Sequence, residues 1–372
     1  MKRFVKIYTY WLLGMLLFTG CDDYLKEDSG DLLIPGKVDE FLPMLYKEGF
    51  PQNFNEEVAW LYLMTDDVEM GQLELDPDDE SYETRDKNSL DALSAGEGEE
   101  PYKWEREIKS YADNFWERRY GNILACNLVI DALPEMKYVE ADSGVYNFLA
   151  AQAYALRAYY YWCLVNSYAL PWSKENLDKP GVIIRTEPQI DISARGRSSI
   201  RDVYDLINGD IEEAEKYIKV ATFDGNIHRL SEPAILLLAS RIALFQENWD
   251  EVIRTGELFL AQNSVILNLN DQDTTLFGTE KGLNNKIFTM MDGTINKEVV
   301  FTFGTSSYTP YDYLSTSGTF YGLGFRPSHS TDESLIRSYE EGDLRKKAYF
   351  LKDVPAKKAE SIWEEDKPYE YK

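Results

Sequence analysis

The residues with the most chemical potential in this chain are scattered rather than clustered. Its two histidines, His228 and His329, stand a hundred positions apart with no recognisable partner. No nucleophile elbow, zinc-ligand spacing or phosphate-binding loop accompanies them. Asp76, Asp78, Asp79 and Glu80 resemble the start of a calcium loop. An EF-hand, however, needs glycine at the sixth place and glutamate at the twelfth, and Ser81 and Lys87 stand there instead. A solvated charge run is the reading that remains, and neither a metal nor a cofactor is expected. The abundant carboxylates keep a glycosidase pair open, but no motif singles one out, so catalysis is not expected. What the chain has in quantity is aromatic side chains: 14% of residues, with 26 Tyr and 8 Trp. Tyr and Trp supply contact area at low entropic cost, which suits a binding surface.

Flat aromatic faces with planar polar groups beside them suit a ligand that stacks and hydrogen-bonds. Aromatic residues placed in irregular segments are the candidates. These are Tyr82, Tyr102 and Trp104 ahead of the first long helix, and Tyr308, Tyr311, Tyr313, Phe320 and Tyr321 much later, with Arg85 as a polar partner. Trp172, directly after Pro171, is read as structural.

The elements that must position these residues are helical. Residues 143–172 read as one long helix, rich in alanine (Ala150, Ala151, Ala153, Ala155 and Ala158) and in tyrosine. Tyr154, Ala158, Tyr161 and Val165 form one apolar stripe; Leu149, Ala153, Leu156 and Tyr160 form another, so the helix is buried on more than one side. Pro171 closes it. Arg157 is alone in this run and is expected to pair with a carboxylate on a neighbouring helix, because buried charges are paired. Short helices are predicted over Val38–Tyr46 and Glu56–Met64, and a long one over Trp104–Ala132 that packs back on the first. Its core face is Tyr111, Phe115, Ile123, Cys126 and Ile130. In that hairpin Cys126 and Cys163 fall about 15 Å apart, too far for a disulfide.

Further along, Ser199 and Asp202 form a capping box for a helix over 200–219. Ser231 with Pro233 starts another, carrying Ile235, Leu238, Ala239, Ile242 and Phe245 inward. Asn248 breaks it, and Trp249–Ala261 is its partner. Two helices of that length with a short turn match a tetratricopeptide unit, although the Trp-x-x-Leu-Gly opening is missing. Between the hairpins lies a long irregular connection with Pro171, Pro180 and Pro188. Val299–Phe303 reads as a short strand, and one last helix is expected near 333–350.

The ends and the charge place the chain. Lys2, Arg3 and Lys6, an apolar run from Ile7 to Phe18, and Thr19-Gly20-Cys21 read as a secretory signal ending in a lipobox, with Phe18 where leucine is usual. Cys21 is then the lipidated residue. Losing those three cations takes the formal charge from −26 to −29, which argues against nucleic acid and against charge-driven binding to an anionic membrane. The domain reading is a signal peptide at 1–20, an acidic tether at 21–37, a helical scaffold at 38–64 and 101–263, an acidic loop insertion at 65–100, and a loop-rich ligand-binding subdomain at 264–372. The insertion holds fourteen Asp or Glu against two basic residues.

Taken in order, several blocks resemble the SusD/RagB family of outer-membrane lipoproteins. They are Cys21-Asp22-Asp23-Tyr24-Leu25; Trp116, Tyr120, Ile123 and Asn127; Ala155 through Tyr160 to Pro171; Val203, Tyr204, Ile207, Asp210, Ile211 and Ala214; Ala239, Ala243, Leu244, Phe245 and Trp249; and Asp332, Leu335, Tyr339, Asp343, Leu344 and Arg345. The resemblance implies a mainly α fold: a tetratricopeptide-like helical-repeat scaffold with an irregular ligand-binding region. It also implies a surface-exposed, lipid-anchored protein of the outer membrane that captures a glycan, or peptide material in some members, for a SusC-like TonB-dependent transporter. A scaffold or adhesion lipoprotein without a small ligand is the alternative. Family members usually continue into a further strand and helices, so the chain is expected to be a shortened copy with an incomplete ligand-binding subdomain.

Overall fold

A computed structural model describes residues 37–51, 64–70, 99–106, 115–136, 138–189, 193–272, 275, 297–303, 325–328, 331 and 334–348. The fold is mainly helical and tetratricopeptide-like, built around helix α4, Ser143–Tyr168. At 1.5 Å per residue its 26 residues span about 39 Å. Its five expected alanines are fully buried, as are Leu149, Tyr160, Tyr161 and Leu164. It stops at Tyr168, where Ala169 turns extended ahead of Pro171.

The elements before it are α1 (Val38–Met44), which runs into a π turn over Leu45–Gly49, strand β1 (Val68–Met70), α2 (Glu99–Tyr102) and α3 (Phe115–Ala132). After it come α5 (Ile200–Ile218), α6 (Glu232–Phe245), α7 (Trp249–Gln262), β2 (Phe325–Pro327), α8 (Leu335–Ser338) and α9 (Leu344–Ala348).

Both neighbours of α4 run antiparallel to it. On α3, Asn127 meets Arg157 while Leu133, just past the helix, meets Tyr146. On the other side Asp210 of α5 meets Arg157 while Thr222 meets Gly144. That last approach explains the glycine: a Cβ on Gly144 would lie 2.0 Å from Thr222 Oγ1. Gln152 joins α4 to the start of the next hairpin through a reciprocal pair with the Leu230 backbone, each bond 2.8 Å.

The caps form as the sequence dictates. Ser199 and Asp202 make the reciprocal box, and Ser231 Oγ accepts from Ala234 N with Pro233 in the first turn. The α6–α7 turn is tight because two caps share it. Glu247 takes a left-handed φ of 54°, and Asn248 N donates to Ala243 O while Glu247 N donates to Leu244 O, a Schellman closure. Asn248 Oδ1 then accepts from Glu251 N to start α7. Arg254 of α7 reaches back to Glu215 of α5 at 2.7 Å, tying the second hairpin to the first.

The structure departs from expectation at five places. Trp104 does not begin a helix; its φ of 54° is left-handed and incompatible with a right-handed helix. Phe245, at the last position of its helix, is 46% exposed rather than core and meets the Trp162 ring edge-on. Residues 299–303 are irregular: Thr302 N bonds Ile227 O, and no ladder forms there among the described residues. The final helix is two, α8 and α9, separated at Gly342 with φ 92°. The stretch 65–100 is not loop throughout, since β1 lies within it and pairs antiparallel with β2, Glu69 opposite Arg326. The helix expected over Glu56–Met64 and the Tyr111 position lie outside the described residues, apart from Met64 itself.

Candidate functional site

Of the residues the sequence singles out for ligand contact, Tyr102 and Trp104 fall within the described structure. Tyr82, Arg85, Tyr308, Tyr311, Tyr313, Phe320, Tyr321 and the lipidation candidate Cys21 lie outside it. Tyr102 is the last residue of α2 and is half-buried. Trp104 follows two residues on. Glu105 N donates to Glu100 O at 3.0 Å across it, the six-to-one bond of a Schellman closure, which puts Trp104 at the position usually given to glycine. A β-carbon there costs roughly 1–2 kcal/mol. The indole this turn presents is 68% exposed. The turn thus holds a large apolar ring open to solvent on a strained backbone.

A second set of side chains fixes the irregular connection after α4, and here the sequence reading was incomplete. Arg157 does pair with a carboxylate on a neighbouring helix. Its Nε donates to Asp210 Oδ2 at 2.8 Å and its Nη2 to Asp210 Oδ1 at 2.7 Å, with side chains 7% and 4% exposed. Its Nη1 donates to Asn127 Oδ1 at 2.9 Å. That bond orients the Asn127 amide, whose Nδ2 then donates to the carbonyls of Arg185 (3.0 Å) and Glu187 (3.2 Å). Tyr161 exchanges bonds with the Arg185 backbone, donating to its carbonyl at 2.7 Å and accepting from its N–H at 2.8 Å. Tyr120 donates to Ile183 O at 2.6 Å. The polar ends of Asn127, Tyr161 and Tyr120 thus pin 183–187 against α3 and α4. Their helical spacing gives no sign of it; only the polar tips at buried positions do, since such tips require partners.

Electrostatics follow the burial. Burial works to lower the Arg157 pKa, but the hydrogen bond and charge of Asp210 overcome it and the guanidinium is held protonated. Burial raises the Asp210 carboxyl, opposed by Arg157. The Tyr161 phenol is pushed up to about 12, chiefly by burial, and burial likewise raises the Tyr120 phenol and the Cys126 thiol. On the connection itself, Arg195 bonds Glu187 at 2.8 Å and holds that carboxylate below its ordinary range. Arg197 donates to Tyr168 O and Gly181 O and lies over the Trp116 ring. Trp172 packs edge-on against Tyr204, a structural place as expected. Cys126, buried, and Cys163, half-buried, are not joined to each other in a disulfide, as expected. His228 Nδ1 lies 3.0 Å from Thr302 O and holds a loop. Among the described residues no group of three His, Cys, Asp or Glu is placed to hold a metal ion.

An exposed aromatic turn and a pinned connection on helical hairpins make up a helical-repeat scaffold. The SusD-like family model described as "Starch-binding associating with outer membrane" matches residues 44–244, more than half the chain, and the protein belongs to that family. SusD-like protein P38 of Formosa agariphila is 28% identical over 158 residues, 42% of this chain and 27% of that relative. The crystal structure of a SusD-like carbohydrate binding protein from Bacteroides vulgatus superposes with a TM-score of 0.56 at 20% identity, covering 84% of this chain and 60% of that one. The second likeness is one of fold. The chain spans about a quarter of the curated relative and three fifths of the solved structure it matches.

Proposed function

We propose that this protein is a surface lipoprotein that captures a glycan and delivers it to a SusC-like TonB-dependent transporter, without cleaving it. The observation that carries the reading is Trp104, 68% exposed at a left-handed turn. Its ring face takes the C–H surface of a sugar, and Tyr102 stands beside it on the same turn. Tyr82, Arg85, Tyr308, Tyr311, Tyr313, Phe320 and Tyr321 complete the proposed contact set. Membership of a family described as starch-binding and associated with the outer membrane supports both the ligand class and the location. In this reading Cys21 carries the lipid, residues 21–37 are the tether, and the helical hairpins hold the binding turns.

Native affinity electrophoresis of the mature chain tests capture, in gels cast with soluble starch, laminarin, xylan or galactomannan. At least one polysaccharide retards the protein, and Trp104→Ala weakens that retardation on the order of tenfold, as losing one well-stacked ring implies. Retardation by none of them contradicts the reading and favours peptide cargo or a scaffold role. Radiolabelled palmitate enters the wild-type chain and not Cys21→Ala; label that survives the substitution contradicts the anchor.

A further inference from the structure

The core tyrosines and one group of surface tyrosines treat their hydroxyls differently. Tyr120, Tyr160, Tyr161 and Tyr204 each donate to a protein acceptor. Four others line the junction of α4 and α5. Tyr138, on the irregular stretch before α4, stacks on Tyr146 at 4.4 Å between ring centroids and 22° between planes. Tyr146 meets Tyr217 edge-on at 6.4 Å and 73°. Tyr217 in turn lies parallel to Tyr154 at 6.0 Å and 8°. Among the described residues the hydroxyls of Tyr138, Tyr154 and Tyr217 make no hydrogen bond, while that of Tyr146 donates to Leu133 O at 3.1 Å and locks the ladder in place.

The strip is open and rigid. Tyr138 is 45% exposed and the other three are half-buried. Tyr146 and Tyr154 are eight residues apart on one helix, about 12 Å along its axis, so the strip is longer than a single sugar ring. Lys216 Nζ lies 5.5 Å over the Tyr217 ring and pairs with Glu213 at 3.1 Å, putting both a donor and an acceptor beside the rings. Ring faces for C–H surfaces, phenol hydroxyls with unused hydrogen-bonding capacity and a flanking ion pair are the chemistry of an extended, neutral, polyhydroxylated ligand. An apolar protein partner would instead leave those hydroxyls without acceptors on contact.

We infer that the Tyr138–Tyr146–Tyr217–Tyr154 strip is a glycan-contacting surface of the helical scaffold, additional to the Trp104 turn. The inference rests on the capture reading above and extends it: a polysaccharide lies along the scaffold as well as against the turn. Tyr138 supplies the exposed stacking face, and the free hydroxyls of Tyr154 and Tyr217 bond to the sugar.

The same gels decide the matter, using whichever of the four polysaccharides retards the wild-type chain. Tyr138→Ala alone, at an exposed position, weakens retardation about threefold, and Tyr138→Ala with Tyr217→Ala about tenfold. Tyr138→Phe, which keeps the ring, recovers most of the single-variant loss. Trp249→Ser removes an aromatic ring that is 58% exposed on α7 and leaves retardation unchanged. Thermal midpoints of all variants are recorded, and Tyr138→Ala carries the test if the double variant unfolds. A Tyr138→Ala chain retarded as strongly as wild type overturns the inference, as does an equal loss in Trp249→Ser. Failure of wild type to bind any of the four is a different result, and it overturns the capture reading itself.

Discussion

Removing the Asp210 carboxylate tests the physical account of the scaffold most severely. Arg157 and Asp210 are joined by two bonds of 2.8 and 2.7 Å, and their side chains are 7% and 4% exposed. In Asp210→Ala the guanidinium stays buried with one designated partner, Asn127. Stranding a buried charge in this way costs about 3–5 kcal/mol, a large part of a typical total of about 5–15 kcal/mol. Replacing both partners, Arg157→Met with Asp210→Leu, removes the stranded charge and returns stability to within about 2 kcal/mol of wild type. The cycle of Arg157→Met, Asp210→Leu and the double therefore shows strong coupling. Urea denaturation followed by far-ultraviolet circular dichroism reads wild type, these three variants and Asp210→Ala. The reasoning is refuted if Asp210→Ala loses less than about 1 kcal/mol, or if the double variant is no more stable than the singles.

Three further outcomes follow from the same structure. The Tyr161 phenol ionises at about 12 when folded against an ordinary 10.0, so its contribution is intact below pH 10 and lost as pH rises through 12. That contribution is on the order of 2–3 kcal/mol, and urea midpoints across this window fall less in Tyr161→Phe than in wild type; equal falls contradict it. Cys126 is fully buried with its pKa raised by burial, so in a Cys163→Ser chain it resists iodoacetamide at pH 8 until denaturant is added; rapid native labelling contradicts the packing. Ser199→Ala removes a cap that accepts from Asp202 N and lowers stability by about 1 kcal/mol; no change in the urea midpoint contradicts the cap.

Local signals were legible in the sequence and long-range ones were not. Ser199 with Asp202, and Ser231 with Pro233, announce helix starts because the partners lie within one turn, and the structure places them so. The limits of α4 follow from its alanines and Pro171. The need of Arg157 for a partner was readable from its apolar surroundings, but the identity of Asp210, 53 residues away, was not. Val68–Met70 sits in an acidic run that reads as loop, and its pairing with Phe325–Pro327 is set by contact across more than 250 residues. Val299–Phe303 has the β-branched composition of a strand, yet it bonds a loop at Ile227 instead. Of the ligand-binding candidates, Trp104 was read for its type and not for its conformation: helix propensity favours continuing α3 back to it, whereas the bond from Glu105 N to Glu100 O closes a left-handed turn there. The strip at Tyr138 was hidden for a similar reason, since Tyr154 falls on an apolar helical stripe and its hydroxyl environment is fixed by α5.

The most direct test of glycan capture is calorimetric titration of the mature protein with oligosaccharides of the polysaccharide that retards it most. Saturable binding, with no new reducing ends in the recovered sugar and a weaker constant in Trp104→Ala, is the predicted result. Absence of binding heat, or release of reducing sugar during the titration, contradicts the account.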